Sequence, residues 1–423
     1  METITFKTYS LGCRANQAEM AELAEKLSQE GFVSSEKDPN LLLLNSCAIT
    51  SQAEKDTRKA ISKLRRENPK AYLVVLGCAV NAKEKLKINL PKADLLILNK
   101  DKESAVQLIK EKFPATSRHF ANVKQNKYLN SGRSLLKIQD GCNKFCTYCI
   151  VPLLRGKPKN KSASRRTKEI IEEVKILEKG GVKEIILTGI NLALYENLTF
   201  LLKQILKETK IRRITLSSLT PEIIDQNLIN LFAENERLSR FFHLSLQSGS
   251  ENVLGNMKRD KNLKKLVNFL KDIKEKVPEF TFRADIIVGF PQETEEDFNE
   301  TLQLIKLAKI SFVHAFCFSK RPGTFAFEKI KKGSWQDLPE EIKKERLKKV
   351  LEIAQEVRCE EAQKLVGKTL ECLVIKKLNN GNFETLASNS WKVLVKGQFK
   401  PGEIKRIQIT NNSTDSLVGN LEN

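Results

Sequence analysis

The stretch that most constrains this chain is Gly141-Cys142-Asn143-Lys144-Phe145-Cys146-Thr147-Tyr148-Cys149. Its three cysteines, spaced C-x₃-C-x₂-C, follow an apolar run, Leu135-Leu136-Lys137-Ile138, that reads as a β-strand. A tetrahedral zinc site needs four ligands, usually as two C-x₂-C pairs, and no second pair follows here. Three thiolates suit a cubane [4Fe–4S] cluster better. They hold three irons and leave the fourth open to a chelating molecule.

Before this loop, short apolar runs alternate with helical patterns. Ile4–Leu11 reads as a strand ending at Gly12-Cys13, and Asn16 to Gly31 as a helix with Ala21, Leu23, Ala24 and Leu27 on its apolar face. Leu41–Leu44 is a short buried strand ending at Asn45-Ser46-Cys47. Ser51 is expected to cap the following helix, which stops before Pro69. Ala71–Leu76 is a third strand, ending at Gly77-Cys78; Ala93–Leu98 is a fourth, and a helix over Lys102–Phe113 completes the unit. This alternation predicts a doubly wound parallel sheet. Ligands of such sheets bind beyond the carboxyl ends of the strands, where Cys13, Cys47 and Cys78 would all emerge. Taken alone, these three thiols fit buried structural cysteines as well as a second three-thiolate cluster, again with one iron free.

Residues 115–133 are polar and aperiodic and read as a linker after an N-terminal domain of residues 1–114. A second domain, 134–365, repeats strand and helix six times. After Ser134–Gln139 the strands are Glu184–Thr188, Arg213–Ser217, Phe242–Gln247, Phe280–Val288 and Phe312–Phe318. In a TIM-type barrel the ligand sits at the carboxyl ends of the strands. Those ends carry Thr188, Gly189, Asn191, Ser217 and Gln247, a polar rim suited to a cofactor. Arg283, on a barrel strand, is a candidate for gripping a carboxylate. Cys317, Cys359 and Cys372 have no ligand spacing and read as ordinary thiols, and His243 and His314 as hydrogen-bonded core residues. A long charged helix, Pro339–Leu365, leads to residues 366–423, where Leu370–Ile375, Phe383–Leu386, Lys392–Val395 and Ile404–Ile409 predict a small all-β barrel.

Composition bears on compartment and partner. Nine cysteines, an odd number in a chain of 423 residues, argue against a disulfide framework and for a reducing cytoplasm. No apolar run approaches the roughly 20 residues of a membrane span, and the first residues enter a strand pattern rather than a signal peptide. A net charge of +21 favours an anionic partner, nucleic acid before membrane. The basic run from Arg155 to Lys168, directly after the cysteine loop, is a candidate RNA contact.

An aromatic residue just before the last cysteine of C-x₃-C-x₂-C, here Tyr148, is the signature of radical S-adenosylmethionine (SAM) enzymes. Over essentially its full length the chain resembles their methylthiotransferase family. The likeness rests on Leu11-Gly12-Cys13-Arg14-Ala15-Asn16-Gln17, Asn45-Ser46-Cys47-Ala48-Ile49-Thr50, Gly77-Cys78, the loop from Gln139 to Pro152 with Arg155-Gly156, His243–Gly249, Asp285–Pro291 and Phe318–Thr324. The resemblance implies an α/β fold: an N-terminal doubly wound sheet, a central partial (β/α)6 TIM-type radical SAM barrel, and a C-terminal TRAM-like RNA-binding barrel. It implies two [4Fe–4S] clusters: Cys142, Cys146 and Cys149 would bind the one that cleaves SAM, and Cys13, Cys47 and Cys78 an auxiliary one that holds or donates sulfur. SAM would lie against Tyr148 and the barrel rim.

The pattern after Cys13 is most similar to the branch that methylthiolates C2 of N6-threonylcarbamoyladenosine beside the tRNA anticodon. Isopentenyladenosine and a ribosomal-protein aspartate are the family's other substrates. A further alternative is a radical SAM enzyme whose second cluster only relays electrons. The expected partners are the anticodon stem-loop of tRNA and an electron donor such as flavodoxin or ferredoxin, with the chain acting as a cytoplasmic monomer.

Overall fold

The computed structural model describes residues 3–113, 131–158, 165–413 and 415–422. They gather into two compact units: one from within Met1–Lys127, Asp140–Ala163 and Ser319–Glu328, the other from within Tyr128–Gln139, Ser164–Phe318 and Lys329–Asn423. Of the expected linker, positions 115–130 lie outside the described residues.

In the first unit, β1 (Thr5–Ser10), β2 (Val33–Ser34), β3 (Leu41–Ser46), β4 (Tyr72–Gly77) and β5 (Leu95–Ile97) form a parallel sheet in the order β2-β1-β3-β4-β5. Helices α1 (Arg14–Gln29), α2 (Ser51–Glu67), α3 (Cys78–Leu86) and α4 (Ala105–Lys112) cover it. Strand alternation explains the four leucines of β3. Leu41 and Leu43 pack with Phe6, Leu23, Leu27 and Ile109 on one face, while Leu42 and Leu44 pack with Ile61, Leu64 and Val80 on the other. All four are sealed from solvent, as a sheet with helices on both faces requires. Thr50, not the expected Ser51, caps α2: its hydroxyl accepts from the Ala53 N–H at 3.1 Å. The cysteine loop belongs to this unit too. It ends in the short helix α5 (Val151–Arg155), and Ile150 and Leu154 join the core formed by Leu42, Ala79 and Val80.

The second unit holds the barrel strands. β6 (Arg133–Gln139), β7 (Glu184–Gly189) and β8 (Arg213–Leu216) make one parallel sheet. β9 (Ser218–Leu219), β10 (Phe241–Gln247), β11 (Thr281–Val288) and β12 (Ile310–Cys317) make another. The chain passes from one sheet to the other at Ser217, so six parallel segments follow in turn and β6 and β12 are the edges. Helices α6 (Thr167–Lys179), α7 (Leu198–Glu208), α8 (Gln226–Glu234), α9 (Glu251–Asn256), α10 (Leu263–Lys276) and α11 (Glu295–Leu307) return the chain between strands. Then come α12 (Phe325–Lys331), whose first residues belong to the first unit, and the long α13 (Glu340–Gln363). On β11, Phe282, Ala284, Ile286 and Val288 are buried on one side, which leaves Arg283, Asp285 and Ile287 on the inner side of the partial barrel.

The C-terminal strands β13 (Thr369–Lys377), β14 (Phe383–Ala387), β15 (Lys392–Val395), β16 (Ile404–Asn412) and β17 (Leu417–Leu421) close into a barrel, the TRAM-like architecture. The sequence pattern signals four of them. The fifth, β17, carries Gly419 in its middle and lacks β-branched alternation, yet it closes the barrel between β15 and β16. This module sits on the amino ends of the barrel strands: the Trp391 indole N–H donates to Thr281 Oγ1 at 3.1 Å, Arg213 donates to the Leu386 and Glu371 carbonyls at 3.0 and 3.1 Å, and the Arg240 N–H donates to the Ser388 carbonyl at 2.9 Å.

Candidate metal centre

Cys13, Cys47 and Cys78 stand where three neighbouring parallel strands end. Cys13 caps α1, Cys47 follows β3, and Cys78 opens α3 directly after Gly77 of β4. Gly77 has φ +101°, a turn that only glycine takes without strain and that brings the thiol to the sheet edge. Cys13 is exposed and the other two are buried, and all nine cysteines are free thiols.

Buried polar groups fix the geometry. Thr57 Oγ1 donates to the Cys47 carbonyl at 2.7 Å and accepts from the Cys47 N–H at 3.2 Å. Asn16 Nδ2 donates to the Leu11 and Ser46 carbonyls at 2.9 and 3.0 Å, tying the first two cysteine turns together. Burial pushes the Cys47 thiol up to about 12, with the neighbouring Cys78 and Cys13 adding to the effect. Burial also raises Cys78, but the Arg155 and Lys102 charges and a hydrogen bond from Arg155 pull it back. Two buried thiols and one exposed one, with the Arg155 and Lys102 charges beside them, fit an iron–sulfur cluster, whose irons would offset the cost of ionising them.

The second set lies on the loop Cys142–Cys149 of the same unit, each thiol partly exposed. The Cys142 N–H donates to the Gly156 carbonyl at 3.1 Å and the Cys149 N–H to the Cys146 carbonyl at 2.9 Å, which folds the loop back on itself. Phe145 takes φ +47° and is half exposed, with Lys157 Nζ 5.4 Å above its ring. Tyr148 sits between Thr147 and Cys149 on this loop, partly buried.

Arg155 joins the two sets. Its guanidinium donates to Glu19 Oε1 at 2.7 Å, to Asp140 Oδ1 at 2.9 Å and to Asn16 Oδ1 at 2.5 Å, so it grips the helix after Cys13 and the residue two before Cys142. Burial works against its charge, but Glu19, Cys78 and Asp140 outweigh it and hold the pKa well above the ordinary arginine value. Lys102 also pairs with Glu19, and burial lowers its pKa. Sequence reading places Arg155 in a basic run but gives no sign that Glu19 and Lys102 meet it. Nearby, Arg321 donates to the Ala48 carbonyl and to Glu54, each at 2.9 Å, which anchors the Ser319–Thr324 segment behind Cys47.

The rim residues belong to the second unit. Thr188 and Gly189 end β7, Ser217 follows β8 and Gln247 ends β10 with φ +75°. Asn191 caps the turn after β7, and its N–H donates to Gln139 Oε1 at 2.9 Å. These five therefore share one edge of parallel strands. Arg283 lies deeper, its guanidinium over the rings of Phe241 and Phe312 at 5.4 and 5.2 Å. Two residues nearer that edge, Asp285 accepts from His243 Nε2 at 2.9 Å and faces His314 Nδ1 at 3.5 Å. His243 is buried and hydrogen-bonded, as the sequence suggests; the His314 side chain is half exposed and is not a core residue.

A family model described as "Radical SAM superfamily" matches residues 136–305, and one described as "Uncharacterized protein family UPF0004" matches residues 5–98. The chain is 34% identical to the threonylcarbamoyladenosine tRNA methylthiotransferase MtaB of Aquifex aeolicus, over 96% of this chain and 100% of that protein. It is 31% identical to the MtaB of Thermotoga maritima (99% and 96% covered) and 30% identical to the tRNA-2-methylthio-N(6)-dimethylallyladenosine synthase of Desulfotalea psychrophila (100% and 99% covered). In fold it is similar to the radical SAM methyltransferase TsrM of Kitasatospora setae, with a TM-score of 0.57 at 14% identity over 78% of each chain. The paired cysteine sets, the parallel partial barrel and these full-length likenesses agree: the chain belongs to the methylthiotransferase family of radical SAM enzymes.

Proposed function

We infer that this chain is a tRNA methylthiotransferase that adds a methylthio group to C2 of N6-threonylcarbamoyladenosine beside the anticodon. The observation that carries the reading is that two three-cysteine sets fold into one compact unit and are joined through buried Arg155. The MtaB relatives, whose names print that substrate, support the choice among family members. In this reading Cys142, Cys146 and Cys149 hold the SAM-cleaving cluster, and Cys13, Cys47 and Cys78 the auxiliary one. The residues assigned to SAM are Tyr148 of the first unit and Thr188, Gly189, Asn191, Ser217, Gln247 and Arg283 of the second. When bound, these groups supply a 5′-deoxyadenosyl radical and a methylated sulfur. The protein's own residues orient the partners, and burial of Cys47 and Cys78 keeps water from the sulfur.

Residues 1–114 then act as the sulfur-carrying domain, 134–365 as the radical SAM core and 366–423 as an RNA-contacting module, with 115–133 between the first two. The net charge of +21 supports tRNA as the partner through phosphate contacts. No helix among the described residues is long and apolar enough to cross a membrane. A cytoplasmic monomer served by flavodoxin or ferredoxin completes the proposal.

The test is anaerobic reconstitution, iron counting and mass analysis of tRNA nucleosides. Two clusters give about eight irons per chain. Cys78→Ala is expected to keep about half of them and to cleave SAM without forming methylthio product, while Cys146→Ala, also with about half the iron, neither cleaves SAM nor forms product. A Cys78→Ala enzyme with undiminished methylthiolation overturns the auxiliary role. Unchanged 2-methylthio nucleosides in a strain lacking the gene would leave only an electron-relay enzyme, and loss of 2-methylthio-isopentenyladenosine alone would move the substrate to that nucleoside.

A further inference from the structure

On the inner face of β11 and β12, paired register sets three tiers: Arg283 beside Phe312, Asp285 beside His314, and Ile287 beside Phe316. The deepest tier is closed. Phe312 packs on Trp391 with ring centroids 4.8 Å apart, and Arg283 lies over the Phe312 ring. The two upper tiers are open, with Phe316 48% exposed and the His314 side chain 49% exposed. That exposure falls on an edge strand, because β12 ends its sheet. A group entering through the open side of the partial barrel meets Phe316 and His314 first.

The chemistry of the middle tier is set by Asp285. Burial opposes its ionisation, but hydrogen bonds from His243 and His314 prevail and hold the carboxyl down to about 2. A carboxylate keeps the proton of each ring on the nitrogen that faces it. For His243 that nitrogen is Nε2, and its Nδ1 lies 3.2 Å from the Ser218 hydroxyl, which can donate to it. For His314 it is Nδ1, 3.5 Å from the carboxylate, and in the neutral ring Nε2 is then a hydrogen-bond acceptor, with no partner among the described residues. An acceptor one tier below an exposed aromatic ring is matched by a nucleoside whose base stacks while its side arm donates an N–H or O–H.

We propose that Phe316 and His314 form the subsite for the substrate nucleoside, with Phe316 under the base and His314 Nε2 accepting from the N–H or O–H groups of its N6 arm. Asp285 and His243 are positioning residues. The subsite rests on the tRNA substrate inferred above. SAM offers donors of the same kind, but the rim assigned to it follows β7, β8 and β10, with Arg283 in the closed deepest tier of β11, whereas this pair occupies the open upper tiers of the far edge strand.

The experiment uses reconstituted enzyme and two forms of one tRNA, carrying either N6-threonylcarbamoyladenosine or plain adenosine. One hydrogen bond to a neutral group gives a preference of about fivefold in Kd for the modified form. His314→Ala is expected to remove that preference and leave binding of the unmodified tRNA as it was. His314→Gln, which retains an acceptor oxygen, should keep most of the preference, and Phe316→Ala should weaken both tRNAs. A merely structural role would weaken both forms in His314→Ala as well. If wild-type enzyme methylthiolates the modified tRNA and His314→Ala keeps the preference, the subsite is wrong and the substrate stands. If wild-type enzyme fails on that tRNA, both readings fall. A selective loss of SAM affinity in His314→Ala, or one non-iron metal per chain lost with that substitution, also overturns the assignment.

Discussion

Arg155 and Glu19 form an ion pair at 2.7 Å with both side chains almost sealed from solvent, 2% and 6% exposed, across 136 positions of sequence. Asp140 and Asn16 complete the shell around the guanidinium. The pair ties the cysteine loop to the helix after Cys13, so its loss should be felt at both cysteine sets. Arg155→Leu removes the guanidinium that donates to both carboxylate oxygens of buried Glu19 and is expected to cost about 3–5 kcal/mol. Thermal unfolding of the anaerobic protein measures that loss, and iron counting should show both clusters depleted. Full iron with an unchanged Tm would refute the bridging role.

Gly12 has φ +84°, and a Cβ placed there would lie 2.7 Å from Cys47 Sγ. Gly12→Ala therefore combines an unfavourable backbone with a direct clash at a proposed ligand, a loss of about 2 kcal/mol or more. The loss should be local. Iron is expected to fall toward the count of a single cluster while SAM cleavage persists, and electron paramagnetic resonance of the reduced protein would show which signal remains.

Asp285 gives a pH dependence with a definite sign. Its folded-state value of about 2 lies below the roughly 3.9 of a free aspartate, so its contribution is complete above pH 4 and is lost as the pH falls toward 2. The shift corresponds to about 2.6 kcal/mol. Asp285→Asn should be less stable than wild type at neutral pH, and the gap should narrow between pH 4 and pH 2 in urea unfolding. A gap independent of pH would mean that the two histidines do not hold the carboxylate.

Much of the site could be read from the chain alone because it rests on local rules. A parallel strand ends in a turn, and a residue at that turn must emerge on the sheet edge, so the positions of Cys13, Cys47 and Cys78 follow from apolar periodicity. The same holds for Thr188, Gly189 and Gln247 on the barrel strands. Strand β17 escaped, since Leu417-Val418-Gly419-Asn420-Leu421 has weak strand character and is stabilised by its two neighbours in the closed barrel.

Sequence by itself determined the order of elements, the parallel sheets and which six cysteines stand at strand ends or in the loop, because each depends on the period of side chains along a few neighbouring residues. Only the tertiary structure decided that the loop Cys142–Cys149 folds into the same unit as Cys13, Cys47 and Cys78, that Glu19 and Lys102 surround Arg155, and that His314 faces open space while His243 does not. A charge or an imidazole carries no periodic mark of its partner. Whether it is paired, buried or exposed is set by which distant segment packs against it, and that is a property of the folded chain.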